Sequence, residues 1–109
     1  MSLIRIDTFT LPPAAFDKLH RMICVTLECL AGIDGNEGAE IFFASTSRDR
    51  IATIVRWRDA SVAGAARDAV MATHREHGFD ATAFYDEHSI QLQRSDYDTS
   101  EPFTEQKHA

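Results

Sequence analysis

Three stretches of this chain alternate like β-strands yet carry apolar side chains on both faces, and that doubling restricts the folds open to it. Along 3–10, Ile4 and Ile6 stand opposite Leu3 and Phe9. Along 40–46, Phe42 and Ala44 oppose Ile41 and Phe43. Along 51–57, Ala52 and Ile54 oppose Ile51, Val55 and Trp57. A sheet made from them needs a cover on each side. The helical patterns between the strands number only two. The first opens at Pro12-Pro13, carries Phe16, Leu19, Ile23, Leu27 and Leu30 in one narrow stripe, and stops at Gly32. The second is capped by Asp59 or Ser61 and runs to about His77, with Val62, Ala66, Ala69, Val70 and Thr73 as its buried stripe. Gly78 ends it, and His74, Arg75 and His77 fill its last turn as cations favoured by the helix dipole.

Asp34-Gly35-Asn36-Glu37-Gly38 is a loop by composition, Ser47-Arg48-Asp49-Arg50 suits a hairpin, and a last strand is expected over 83–93. The order β-α-β-β-α-β predicts an α+β, ferredoxin-like fold, with two helices on one face of a four-stranded antiparallel sheet. With no third helix available, the second cover is expected to be another copy of the chain, giving a homodimer joined through the sheet face. The alternative is ordinary scatter of exposed apolar residues. The domain spans 1–94, and the polar, acidic stretch 95–109 is expected to form a tail.

A chain of 109 residues holds one domain. Its net charge of −6, with no Lys/Arg cluster, argues against nucleic acid or an anionic membrane as partner. No stretch approaches the roughly 18 apolar residues of a membrane span. The amino end lacks a signal peptide's pattern, which points to the cytoplasm. Cys24 and Cys29 lie about 500° apart around a helix, so both are expected to be reduced and structural.

Within this plan the sequence resembles the antibiotic biosynthesis monooxygenase-like family of dimeric α+β barrels over residues 3 to about 93. The carriers are Ile6-Asp7-Thr8-Phe9-Thr10-Leu11-Pro12, then Ala31-Gly32-Ile33-Asp34-Gly35, and Val55-Arg56-Trp57-Arg58-Asp59-Ala60-Ser61 entering the second helix. The resemblance implies a homodimeric barrel with a small-molecule cavity between sheet and helices in each subunit. It also implies oxygenation of polycyclic phenols with O2, using no flavin, metal or other cofactor. A related branch degrades haem with a first-strand asparagine, a tryptophan and a second-helix histidine. This chain has Asp7, Trp57 and Ala66 at those places. Haem degradation therefore ranks last, behind a non-catalytic dimer that binds a small ligand or serves as an assembly module.

Cofactor-free oxygenation needs a base, donors for the developing oxyanion and a dry apolar box. Asp7 and His20 are the candidate bases, with a satisfied core histidine as the plainer reading of His20, and Arg5 is the candidate oxyanion partner. Arg5 and Asp7 form an opposite-charge pair near a cavity if their strand face meets the helices, and are solvated surface if it is a wet strand end. Trp57, Phe16 and Phe43 are candidate aromatic walls, with core packing as the plainer reading of the two phenylalanines. Tyr85 joins them as a substrate-binding candidate, and Arg56 and His88 stand behind. His74 and His77 could share a metal, but no further ligand stands near them, so no metal site is expected. No GxGxxG, phosphate loop or GxSxG is present.

Overall fold

A computed structural model describes residues 2–98. Strand β1 (Leu3–Thr10) leads through a short 3-10 turn (Pro13–Ala15) into helix α1 (Phe16–Ala31). Then come β2 (Asn36–Phe43), β3 (Arg50–Trp57), α2 (Ala60–Glu76), α3 (Ala81–Glu87) and β4 (Gln91–Tyr97). The strands form one antiparallel sheet in the order β2-β3-β1-β4, the ferredoxin-like arrangement the sequence predicts. No helix is long and apolar enough to cross a membrane among the described residues.

The first half folds as its pattern dictates. Prolines in the first turn set φ for the entry to α1, and that helix turns Phe16, Leu19, Ile23 and Leu30 into the core. Asp59 caps α2, its side chain accepting from the Val62 N–H at 3.0 Å. The stripe that α2 buries differs from the expected one. It is Ala63, Ala66 and His74, while Ala69 is exposed and Val62 is only half-buried. Val62 packs against Gly35, where a Cβ would stand 2.7 Å from its Cγ1. The loop before β2 thus takes up Val62, and the small Ala63 and Ala66 meet Trp57 and Val55.

The second half departs from expectation more. The stretch expected to be a strand over 83–93 is a helix followed by a strand that begins only at Gln91. Asp80 caps α3 by accepting from the Ala83 N–H at 3.0 Å, and Phe84 anchors it against Phe79. Ser89, at φ 54°, turns the chain out, and the Ile90 N–H closes onto the Tyr85 carbonyl at 2.9 Å. Strand β4 runs to Tyr97, so residues 95–97 belong to the sheet rather than to a tail; 99–109 lie outside the described residues. Strand β2 likewise starts earlier than expected, at Asn36, because a bulge at Gly38, with φ 131°, absorbs the residues that read as loop.

The register gives each sheet face its rows. Towards the helices stand Leu3 beside Trp57, then Arg5 with Val55 and Asp96, Asp7 with Thr53 and Arg94, and Phe9 with Ile51 and Leu92. The opposite face carries Ile4, Ile6, Ala52, Ile54, Phe42 and Tyr97, and the last two are 46% and 53% exposed. Three helices, not two, cover the inner face, and no described element covers the outer one.

Candidate active site

The apolar interior falls into two clusters. One gathers Phe9, Phe16, Leu19, Ile23, Ile51, Phe79 and Phe84; the other gathers Leu3, Leu30, Val55, Trp57, Ala63 and Ala66. Leu27 touches both, and a cavity of about 520 Å³ opens between them. Its floor is the inner sheet face, from Trp57 through Arg5, Val55, Asp7 and Thr53 to Phe9. Its walls are Ile23, Thr26, Leu27 and Leu30 of α1, the alanines, Val70 and His74 of α2, and Tyr85 of α3. Arg67 and Met71, both exposed, stand on its α2 side. The volume suits a small organic molecule. The alanine stripe of α2 leaves this space, because side chains that small do not reach the sheet at every turn.

Polar groups converge on the floor. Asp7, 8% exposed, receives two hydrogen bonds from Arg94, Nε at 2.8 Å and Nη2 at 2.9 Å. One row along, Arg5 makes the same two-pronged contact with Asp96, at 2.8 and 3.1 Å. Each acid thus faces its base across the β1–β4 ladder, in the register that places Asp7 opposite Arg94 and Arg5 opposite Asp96. The expected Arg5–Asp7 pair does not form: neighbours two apart on a strand point the same way, and each finds a closer partner on β4. The hydrogen bonds that Arg94 donates to Asp7 raise the Arg94 pKa above its usual value, and those that Arg5 donates lower that of the Asp96 carboxyl. Tyr85 is raised by burial and then by the negative Asp7, with Arg94 opposing, so its phenol holds its proton firmly.

His74 forms the opposite wall. Its ring is buried, set edge-on to Phe79 at 5.2 Å, with Nε2 2.7 Å from Thr26 Oγ1. Burial, and then the nearby His77, lower its pKa below the ordinary histidine value. A neutral buried ring replaces the dipole-stabilised cation read from the sequence. His77 points elsewhere, its Nδ1 3.0 Å from the Thr73 carbonyl.

Of the residues singled out by sequence, Arg5, Asp7, Trp57 and Tyr85 line this cavity together. His20, Phe16 and Phe43 do not reach it. They stack on one another at 5.1–5.8 Å around a shallow surface depression with Arg48. Phe16 and His20, one turn apart at the start of α1, face this outer edge, while Ile23, Leu27 and Leu30 further along the helix face the cavity. Arg56 faces the other side of the sheet, paired with Glu40 at 2.7 Å, and His88 packs on Phe84. Sequence reasoning missed Arg94, Thr26 and His74 as cavity residues.

No protein-family model matches the sequence, and no curated protein matches it. Solved structures do match over nearly the whole chain. SnoaB, a cofactor-independent oxygenase from Streptomyces nogalater, is similar with a TM-score of 0.69 at 12% identity, over 95% of this chain and 98% of that one. Rv0793 from Mycobacterium tuberculosis reaches 0.73 at 10% identity, over 95% and 100%. A provisionally assigned antibiotic biosynthesis monooxygenase from Nitrosomonas europaea also reaches 0.73, at 9% identity, over 94% of each chain. The fold is that of the antibiotic biosynthesis monooxygenases, as the sequence resemblance implies.

Proposed function

We propose that this protein is a cofactor-independent oxygenase of a small aromatic or polyketide-like phenol, working as a homodimer. The observation that carries the reading is the cavity, a largely apolar box with charged side chains along one strip of its floor and Arg67 at its α2 side. Trp57, 2% exposed, and the aliphatic side chains of α1 and β3 supply the dry box, while Arg5, Arg94 and the Tyr85 hydroxyl supply donors at one end. Asp7 and Asp96 hold the two guanidinium groups in place. The fold shared with SnoaB adds to this.

A bound phenol or enol that loses its O–H proton becomes an electron-rich anion, its oxygen held by the arginines. The carbon conjugated with that oxygen reduces O2 and forms a C–O bond, giving a carbon-bound peroxide. Protonation of the peroxide, loss of the proton on that carbon and cleavage of the O–O bond release water and leave a carbonyl. For a methylene substrate such as anthrone, CH2 and O2 become C=O and H2O, and O2 is the only oxidant.

The test is to incubate the protein with anthrones and hydroquinones under air, following quinone absorbance and O2 uptake. Fluorescence of Trp57, the chain's single tryptophan, reports binding independently. Turnover with quinone and water as products supports the reading. Quenching without any rate above buffer across the panel overturns it, in favour of a non-catalytic binding module of the same fold. The homodimer rests on the uncovered outer sheet face with Ile4, Ile6, Ile54, Phe42 and Tyr97.

A further inference from the structure

The oxygenase reading leaves one role unfilled, that of the group receiving the substrate's proton. Asp7 is poorly placed for it, since both its oxygens are engaged by Arg94. Tyr85 retains its own proton, and His20 lies outside the cavity. The remaining cavity group is His74, and its hydrogen bonding defines which nitrogen is open. The Thr26 hydroxyl has a single proton, and it donates that proton to the Met22 carbonyl at 2.8 Å, a common arrangement for a threonine inside a helix. The 2.7 Å contact between Thr26 Oγ1 and His74 Nε2 is then a ring N–H donating to the hydroxyl oxygen. With Nε2 protonated in a neutral ring, Nδ1 carries the lone pair, and no described residue hydrogen-bonds to it.

We infer that His74 is the general base of this cavity: Thr26 fixes its Nε2–H tautomer, and Nδ1 receives the phenolic or enolic proton of the substrate. This rests on the oxygenase reading for the reaction it serves. The O–H bond of the substrate breaks, its electron pair stays on the substrate oxygen, and the proton resides on Nδ1. The imidazolium returns it to the peroxide oxygen that leaves as water, so the histidine ends as it began. Its lowered pKa keeps the ring in the unprotonated form at neutral pH. The charged and titratable groups lining the cavity with it are Arg5 and Asp7 on β1, Arg67 on α2, Tyr85 on α3 and Arg94 on β4, while α1 contributes the uncharged Thr26. His77, one turn on along α2, is the group that opposes a charge on His74.

The test has two arms. Imidazole 15N shifts of the unaltered protein read the tautomer directly. A protonated Nε2 and a bare Nδ1 at pH 7, mixed once Thr26→Val removes the acceptor, are expected; an Nδ1–H ring overturns the assignment whatever the protein's activity. The second arm measures anthrone turnover by His74→Gln, which keeps an amide able to reach Thr26. The expected result is a fall in kcat of about a hundredfold or more. Trp57 quenching by anthraquinone should be unchanged, and the acid limb of the pH–rate profile should be lost. A His74→Gln protein that binds and turns over like the parent overturns the base while leaving the oxygenase reading intact. No turnover by the parent overturns that reading and the catalytic role together, with the 15N arm still deciding the tautomer.

Discussion

At the scale of single residues, the cavity floor couples charges that can be separated experimentally. Asp7 raises the Tyr85 pKa, second only to burial, and accepts both hydrogen bonds from Arg94. Asp7→Asn removes the negative charge and one acceptor. The Tyr85 pKa should then fall towards 10, read by ultraviolet titration of the phenol, and stability should drop by about 1–3 kcal/mol in denaturant melts. An unmoved tyrosine titration would show that Asp7 does not act on that ring. His74 gives a second, pH-dependent expectation. Its folded pKa lies below the unfolded value of 6.5, so folding favours the neutral ring. The resulting stability is fully present above pH 6.5 and is lost as pH falls from there through the lowered value. Melting curves of the parent should therefore decline more steeply below pH 6.5 than those of His74→Gln. Strand alternation alone puts Arg5 and Asp7 on one face with Leu3 and Phe9, but it does not tell which face meets the helices; that takes the β1–β3 register, which sets Leu3 beside Trp57. His74 was not legible, because last-turn position suggests a cation and only tertiary burial makes the ring neutral. Arg94 was hidden because the last strand was expected to end at 93, one residue short of it.

At the scale of elements, legibility followed length and punctuation. Helix α1, with five apolar residues in a stripe and prolines at its start, could be read outright, as could β1 and β3 from their alternation. Helix α3 has only seven residues, too short for a stripe to show. What marks it is the Asp80 cap. Asp80→Ala should cost about 1 kcal/mol. Amide exchange should rise selectively across Ala81–His88, and the wall carrying Tyr85 should loosen before the sheet does. Gly35 tests the other junction. Its φ of 97° and the 2.7 Å approach of Val62 Cγ1 to a would-be Cβ mean that Gly35→Ala meets both backbone strain and a clash with α2. A loss of about 1–3 kcal/mol in thermal or urea unfolding is expected. Adding Val62→Ala should recover the steric part and leave the backbone part. Full recovery would mean that the left-handed conformation costs nothing there.

At the scale of the molecule, the two sheet faces have unequal fates, and the difference argues for a partner copy. The inner face is covered by three helices that also line the cavity. The outer face leaves Ile4, Ile6, Ile54 and Ala52 half-buried beside exposed Phe42 and Tyr97, crossed by the Arg56–Glu40 ion pair. A contiguous apolar face of this kind on an otherwise acidic chain calls for cover, and in the proposed homodimer a two-fold axis would supply it with the same face of a second subunit. Ile54 lies at the middle of this face, between Ile6 on β1 and Glu40 on β2. Ile54→Lys would bring two like charges into a self-complementary interface, one from each copy. The cost of an unpaired interfacial charge, about 2–5 kcal/mol, converts to a dimer weakened by a factor of roughly thirty or more. Light scattering at micromolar concentration should therefore show the parent as a dimer and the variant as a monomer with unchanged far-ultraviolet dichroism. Because one subunit's own sheet and helices line the cavity, anthraquinone should still quench Trp57 in the monomeric variant. A parent protein that scatters as a single stable subunit would remove the dimer from the proposal and leave the cavity chemistry standing on its own residues.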